Sequence, residues 1–351
     1  MANLSSPLAT TSDAAGADAH RRLRWAGAAV ARLGGVTLAV LVVGAYFSIR
    51  THGQLLVGDN LLGILRGLST IAIMGFGLTP VIIAAEIDLS FAAVYGLSTN
   101  IVAVLWVTHG WPVYVAVLVA FLAAIGVGLF NAFFTAVVKI PSFIATLGSS
   151  TLVFGLTLYV GQTQNISYQY PPPGHAVPKS EGSFFDHLAN AGLPGKFPEQ
   201  GLWTIGLLIV FTFLLSRTLF GFRLKAIGGS RAAAAVVRLP VTRYVFLAFV
   251  ICAVMACLAG LLDFSFVGTA SPNDGQADLF PVFAAVIIGG ASLSGGKGGA
   301  IGTVTGALLL AVLANGFALI AAGPFAQQIL LGTVTIGAVV IDKLTSRRTA
   351  T

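Results

Sequence analysis

Charge is scarce in this chain. Only 9% of its 351 residues are Asp, Glu, Lys or Arg, against about 25% in an ordinary soluble domain. So few charged groups cannot clothe a chain that is 56% hydrophobic with a mean hydropathy of +0.92, and a water-soluble globule is excluded. Cysteine is nearly absent as well. Cys252 and Cys257, the only two, lie five apart inside one apolar run and on different faces of a helix, which argues against a disulfide or a thiolate metal site. The five histidines, at 20, 52, 109, 175 and 187, are spread over tail and loops without ligand spacing. No Ser, His and acid arrangement suggests a nucleophile, so neither catalytic residues, nor a metal, nor a cofactor are expected.

What the chain does have is apolar length. Runs of roughly 20 apolar residues, the length that crosses a bilayer, occur about ten times. They fall near Leu33–Ile49, Leu61–Ala85, Phe91–Thr108, Trp111–Val138, Phe143–Gly161, Gly201–Ser216, Tyr244–Leu262, Leu279–Ala291, Ala300–Ala322 and Phe325–Ile341. The eighth is too short to cross unaided and reads as broken or re-entrant, so nine crossings stay open beside ten. The 42 glycines suit close helix packing in lipid. The expected class is an all-α polytopic membrane protein, with a membrane domain over 33–342 between a polar, disordered tail at 1–32 and a short tail at 343–351.

Basic residues set the orientation. With the N-terminus in the cytoplasm, fifteen of the nineteen Lys and Arg residues fall inside, and Arg50, Lys179 and Lys196 fall outside. Seven of the twelve acids fall outside, so both termini are expected in the cytoplasm. The net charge of +7 is then topological and no sign of nucleic-acid binding. The long polar connection 162–200 lands outside, as a lid or docking rim. The loop 217–243 lands inside, with six basic residues and no acid. There, Gly228, Gly229 and Ser230 read as the turn and N-cap before a short helix at Arg231, Ala232, Ala233 and Ala234, a docking surface along the membrane face.

Several polar residues sit against this apolar background. Glu86 and Asp88, at the inner end of the second run, read either as a cytoplasmic gate, or partners for the basic loop, or as caps of the third helix, with Asp88 or Ser90 supplying the oxygen. Arg66 lies inside the second run, where snorkelling towards the external headgroups is the simplest account. Asn100, Asn131 and Asn315 are polar groups at membrane depth, lining a pathway or bonding helix to helix. The stretch Ala284–Gly299 ends in Gly-Gly-Lys, but the phosphate-loop positions hold Ala291 and Gly298. Leu293–Lys297 also reads LSGGK, like a transporter-ATPase signature, with nothing else of a nucleotide-binding domain around it. A tight turn that lets two helices approach is the expectation.

GFRLKAIGGSRAAAAVVRLPV, then DLFPVFAAVIIGGASLSGGKGGAIGTVTGALLLAVLANG, together with the earlier AAEIDLSFAAVYGL and KIPSFIATLGSSTLVFGLTLYV, resemble the permease subunit of bacterial ATP-binding-cassette importers of the ribose and xylose type. The likeness runs in register from about Asn60 to Asp342. It implies a pathway through the bacterial inner membrane for a monosaccharide or similar small polar solute. The same machinery could serve a nucleoside, a furanosyl signalling molecule or a branched-chain amino acid; a stand-alone secondary transporter is the alternative from another class. The resemblance further implies two cytoplasmic ATP-binding subunits or one fused tandem ATPase, a second permease chain (an identical copy or a paralogue) and an external, periplasmic binding protein. Gly228 to Ala234 match the coupling helix of such permeases. Glu86 and Arg238 stand where the family often has Gly.

The charge asymmetry yields a direct test. In a cysteine-free background, a single cysteine at Ser180 is expected to react with an impermeant thiol reagent in intact cells, and one at Ser230 only after the cells are opened.

Overall fold

In the computed structural model of this protein the described residues are 34–190, 198–321 and 323–348. The expected tail at 1–32 lies outside them, as do 191–197 of the external connection and 349–351. Thirteen helices follow one another: α1 (Gly34–Arg50), α2 (Gly58–Ile83), α3 (Phe91–Val102), α4 (Val113–Ala132), α5 (Ser142–Val160), α6 (Lys179–Asn190), α7 (Glu199–Arg217), α8 (Leu219–Gly229), α9 (Arg231–Val236), α10 (Val241–Val267), α11 (Leu279–Ile288), α12 (Ala300–Leu319) and α13 (Pro324–Arg348). Wider π-helical turns extend α3 to Thr108 and α4 to Val137. Two-residue strands, β1 (Ile166–Ser167) and β2 (Thr269–Ala270), pair antiparallel.

Seven of these helices, α2, α3, α4, α5, α7, α10 and α12, are long and apolar enough among the described residues to cross a membrane. The other three hydrophobic segments correspond to α1, α11 and α13. With 10 residues, α11 is about 15 Å long, half of a bilayer core. Helix α13 runs on to Arg348, past the expected domain end at Asp342. Burial separates core from rim. Within their apolar windows 83% of α3, 61% of α2 and α10 and 56% of α12 is buried, against 33% of α7, 28% of α4 and 22% of α5. Helices of the second group show Leu118, Leu122, Ile209 and Phe213 outward, a surface suited to acyl chains. In lipid such contacts are free of a hydrophobic driving force, so close approach at small residues holds the bundle together. A Cβ on Gly302 of α12 would stand 1.8 Å from the Gly289 carbonyl oxygen, and one on Gly128 of α4 2.9 Å from that of Phe249 in α10.

Two stretches leave the helical path inside the bundle, residues 84–90 and 268–278. A backbone group at membrane depth must find its partner within the protein. Ile87 N–H donates to Ser142 Oγ at 3.0 Å, and Thr146 Oγ1 donates to Ile87 O at 3.2 Å. Asn100 Nδ2 donates to Ser271 O at 3.0 Å. Helix α2 closes with Glu86 N–H on Val81 O and Ala85 N–H on Ile82 O, a Schellman ending that places Ala85 in the left-handed region at φ 61°.

One expectation needs correction, and two segments gain definition. Ser90 stands at the N-cap of α3, but no side chain caps that helix. Its hydroxyl donates to Asp88 Oδ1 and accepts from Asn131 Nδ2, each at 2.7 Å, while Ser90 N–H also goes to Asp88 Oδ1 at 2.8 Å; the capping oxygen is thus engaged elsewhere. Arg66 has an aromatic partner within the chain. Its guanidinium carbon lies 4.4 Å from the centre of the Phe266 ring, a cation–π contact that replaces water. The connection 162–200, finally, carries a helix among its described residues. Its helix α6 buries Phe185 against Trp106, Tyr168 and Phe264, with ring centres 5.2 to 5.5 Å apart. Glu181 Oε2 accepts from Val113 N–H at the start of α4 at 3.0 Å.

The close approach of α11 and α12 predicts an asymmetric response to one added methyl group. Gly302→Ala is expected to lower stability in detergent by about 1–3 kcal/mol, the usual range for overpacking, whereas Gly299→Ala, with nothing within 4 Å of the added carbon, is expected to leave the thermal midpoint unchanged.

Candidate functional site

The basic loop folds into two short helices. Thr218 caps α8 by accepting from Gly221 N–H, and Leu224 and Ile227 turn fully inward. Lys225 is half-buried and donates to Leu215 O at 2.9 Å; burial lowers the pKa of its ammonium. Arg223 donates to Tyr244 Oη at 3.0 Å, and Phe220 stacks on the Tyr244 ring, tying α8 to the start of α10. Ser230 ends α8 and caps α9, its Oγ accepting from Ala233 N–H at 3.2 Å. Of the α9 side chains only Ala234 is buried, so Ala232, Ala233, Val236 and Val237 present a small apolar surface.

Arg231 fastens α9 to the bundle. It forms an ion pair with Glu86 and donates to Ala84 O at 3.3 Å. Ala84 is the C-cap of α2, where the unpaired carbonyls of a helix favour a cation. The Glu86 carboxylate is 7% exposed, so it is held against this partner with little water in between. Beside the pair lies a cleft of about 400 Å³, lined among others by Glu86, Lys139, Ser142, Arg231 and Thr242. Gly228 touches the carbonyl end of α2 and the Gly295–Gly296 turn: a Cβ there would lie 1.7 Å from Ile83 O and 2.6 Å from Gly296 N.

Of the residues singled out in the sequence, Gly228, Arg231 and Glu86 therefore meet, with Gly229, Ser230 and Ala232–Ala234 beside them. Asp88 points away, towards Ser90. The three asparagines lie apart. Asn131 holds Ser90, and Asn100, fully buried, holds Gly96 O and Ser271 O. Asn315 exchanges two hydrogen bonds with Asn60, at 2.9 and 3.0 Å. Arg238 closes α9 in the left-handed conformation, φ 54°, with Leu239 N–H on Ala234 O. Glycine would suit that place better than arginine; Glu86, the other departure, pairs with Arg231.

A second polar group, unseen in the sequence, lies around the loop 268–278. Tyr95 Oη donates to Asp263 Oδ2 at 2.6 Å, although 168 residues separate them. Asp274 Oδ2 accepts from Ser271 N–H at 2.7 Å. Burial pushes Asp274 up to about 6, against that hydrogen bond and with Asp263 adding to the rise; burial and then the charges of Asp263 and Asp274 push Asp278 up to about 7. Between the ordinary carboxylate pKa and 7 the folded chain thus holds protons that the unfolded chain releases, so stability is greatest in acid and declines as pH rises through the folded pKa. The thermal midpoint in detergent is expected to fall between about pH 4 and about pH 7, and Asp278→Asn to flatten that slope.

The sequence profile described as "Branched-chain amino acid transport system / permease component" matches residues 60–339. The xylose transport system permease protein XylH of Escherichia coli K12 is 30% identical, over 88% of this chain and 91% of its own length. The ribose import permease protein RbsC of Bacillus subtilis is 31% identical over 81% of this chain and 84% of its own, and RbsC of Escherichia coli 30% identical over 81% and 85%. No solved structure matches the chain significantly.

Proposed function

This chain belongs to the family of branched-chain amino acid transport system permease components, and from that premise we propose that it is the membrane-spanning subunit of an ATP-binding-cassette importer for a monosaccharide or similar small polar solute. The observation that carries this reading is α9. It is a short helix of small residues held by Arg231 and Glu86 at the end of α2 and open on its other side, a shape fitted to the cleft of a second subunit. Cytoplasmic ATP-binding subunits, two or fused in tandem, are its partners, with Gly228 to Ala234 as the coupling element. A second permease chain completes the pathway, and an external binding protein delivers the cargo. The membrane is the bacterial inner membrane, crossed about ten times with both termini inside.

Both cargo classes occur in the family, and the relatives named above carry xylose and ribose in their names. Asn100, Asn131 and Asn315 join the pathway only where a rearrangement frees them from their present partners. The buried carbonyl oxygens of Asn100 and Asn131, which have no hydrogen-bond partner, are the acceptors they would then offer.

Uptake by cells tests the coupling role. Arg231→Glu sets two carboxylates against each other and is expected to abolish uptake while the permease still inserts; adding Glu86→Arg is expected to restore a large part of it. Ala233→Trp, on the open face, is expected to lose co-purification with the ATPase and uptake together, since one mismatch at an interface centre costs about 2 kcal/mol or more. Full uptake by Arg231→Glu and Ala233→Trp alike would move the coupling role to another inner loop.

A further inference from the structure

The glycine-rich turn 289–299 has no part in the reading above, yet it is built against α8 at backbone distance. Gly296 N–H donates to Ile83 O at 2.9 Å, and Gly228 packs into the same corner. A Cβ on Gly295 would meet Gly228 O and the Ala85 methyl, each at 2.6 Å; one on Gly296 would stand 3.1 Å from Gly229 Cα. Three strands of main chain, the ends of α2 and α8 and the turn, thus touch with no side chain between them. Gly295 and Gly296 have φ of 81° and 74°, which side chains rarely adopt, so the contact demands glycine twice over.

The turn is itself stiff. Ser292 N–H donates to Lys297 O at 3.2 Å and Gly295 N–H to Ser292 O at 2.8 Å. On its far side the α11–α12 hairpin has no slack: added carbons on Gly289 and Gly302 would lie 2.2 and 1.8 Å from each other's carbonyl oxygens. The hairpin is pinned to α2 in turn by Thr303 Oγ1 against Thr79 Oγ1 at 2.7 Å. Backbones in direct contact cannot slide without losing hydrogen bonds, and close-packed elements pass displacement on.

Resting on the coupling role proposed for α9, we infer that the turn 289–299 is the receiver of that coupling: Gly228, Gly295 and Gly296 are positioning residues that carry a displacement of α8 and α9 into α2 and the α11–α12 hairpin as one body. Tyr244 joins α8 to α10 through side chains, whereas this clasp is made of backbone. It explains why a loop that mimics a nucleotide motif is rich in glycine without binding a nucleotide.

Hydrogen exchange tests this on the permease in lipid nanodiscs, with and without its ATPase subunits and a non-hydrolysable ATP analogue. In the unmodified chain, exchange is expected to slow at 231–239 and also at 292–298, the latter by about fivefold or more, the lower end of allosteric coupling. In Gly228→Ala the slowing at 231–239 is expected to persist and that at 292–298 to vanish. Slowing at 231–239 without any change at 292–298 in the unmodified chain overturns the inference and leaves the coupling role intact; no slowing at 231–239 overturns the coupling role itself. The comparison of the unmodified chain with and without its ATPase needs no variant, so the inference is tested even where Gly228→Ala fails to fold.

Discussion

A hydrogen-bonding backbone inside a bilayer has no water to turn to, and the architecture of this protein follows from how it meets that constraint. A helix satisfies its own groups; residues 84–90 and 268–278 do not form one. Each is therefore enclosed by helices that carry the missing partners: Ser142 and Thr146 for Ile87, Asn100 for Ser271. Enclosure in turn requires α3 and α10 at the centre and close approach at glycine and alanine. The first break delivers Glu86 to the face where Arg231 waits. A continuous helix through 84–90 would have carried that carboxylate round the bundle rather than out to the loop.

The long apolar segments were legible because membrane spans announce themselves by length and composition. The starts expected at Phe91 and Ala300 coincide with those of α3 and Ala300–Leu319. The break at Ser230 was legible too, since serine before a run of alanines favours an N-cap. Helix α6 was not. Lys179–Asn190 is polar on average, and Phe185 shows its purpose only beside Trp106 and Tyr168. The partners of Tyr95, Arg66 and Asn315 lie far away in the chain, and no local pattern encodes them. Asp88 misled for a related reason: an acid before a helix invites a capping role, but tertiary contacts engage Ser90 first.

The two ends of the bundle divide the chemistry between them. One end is basic, built of short helices and backbone contacts. The end bearing Asp263, Asp274 and Asp278 is acidic, and burial makes Asp274 and Asp278 hold their protons more tightly than free carboxylates.

Ala85 and Arg238 both take left-handed backbone conformations that glycine adopts freely and other residues resist. One precedes the carboxylate that holds Arg231, and the other follows the helix on which Arg231 sits. Each is fixed by the hydrogen bonds of its own helix ending, Glu86 N–H on Val81 O and Leu239 N–H on Ala234 O. Both anchor points of the Arg231–Glu86 tether are therefore set by backbone, and loss of the ion pair would free α9 without unmaking either turn.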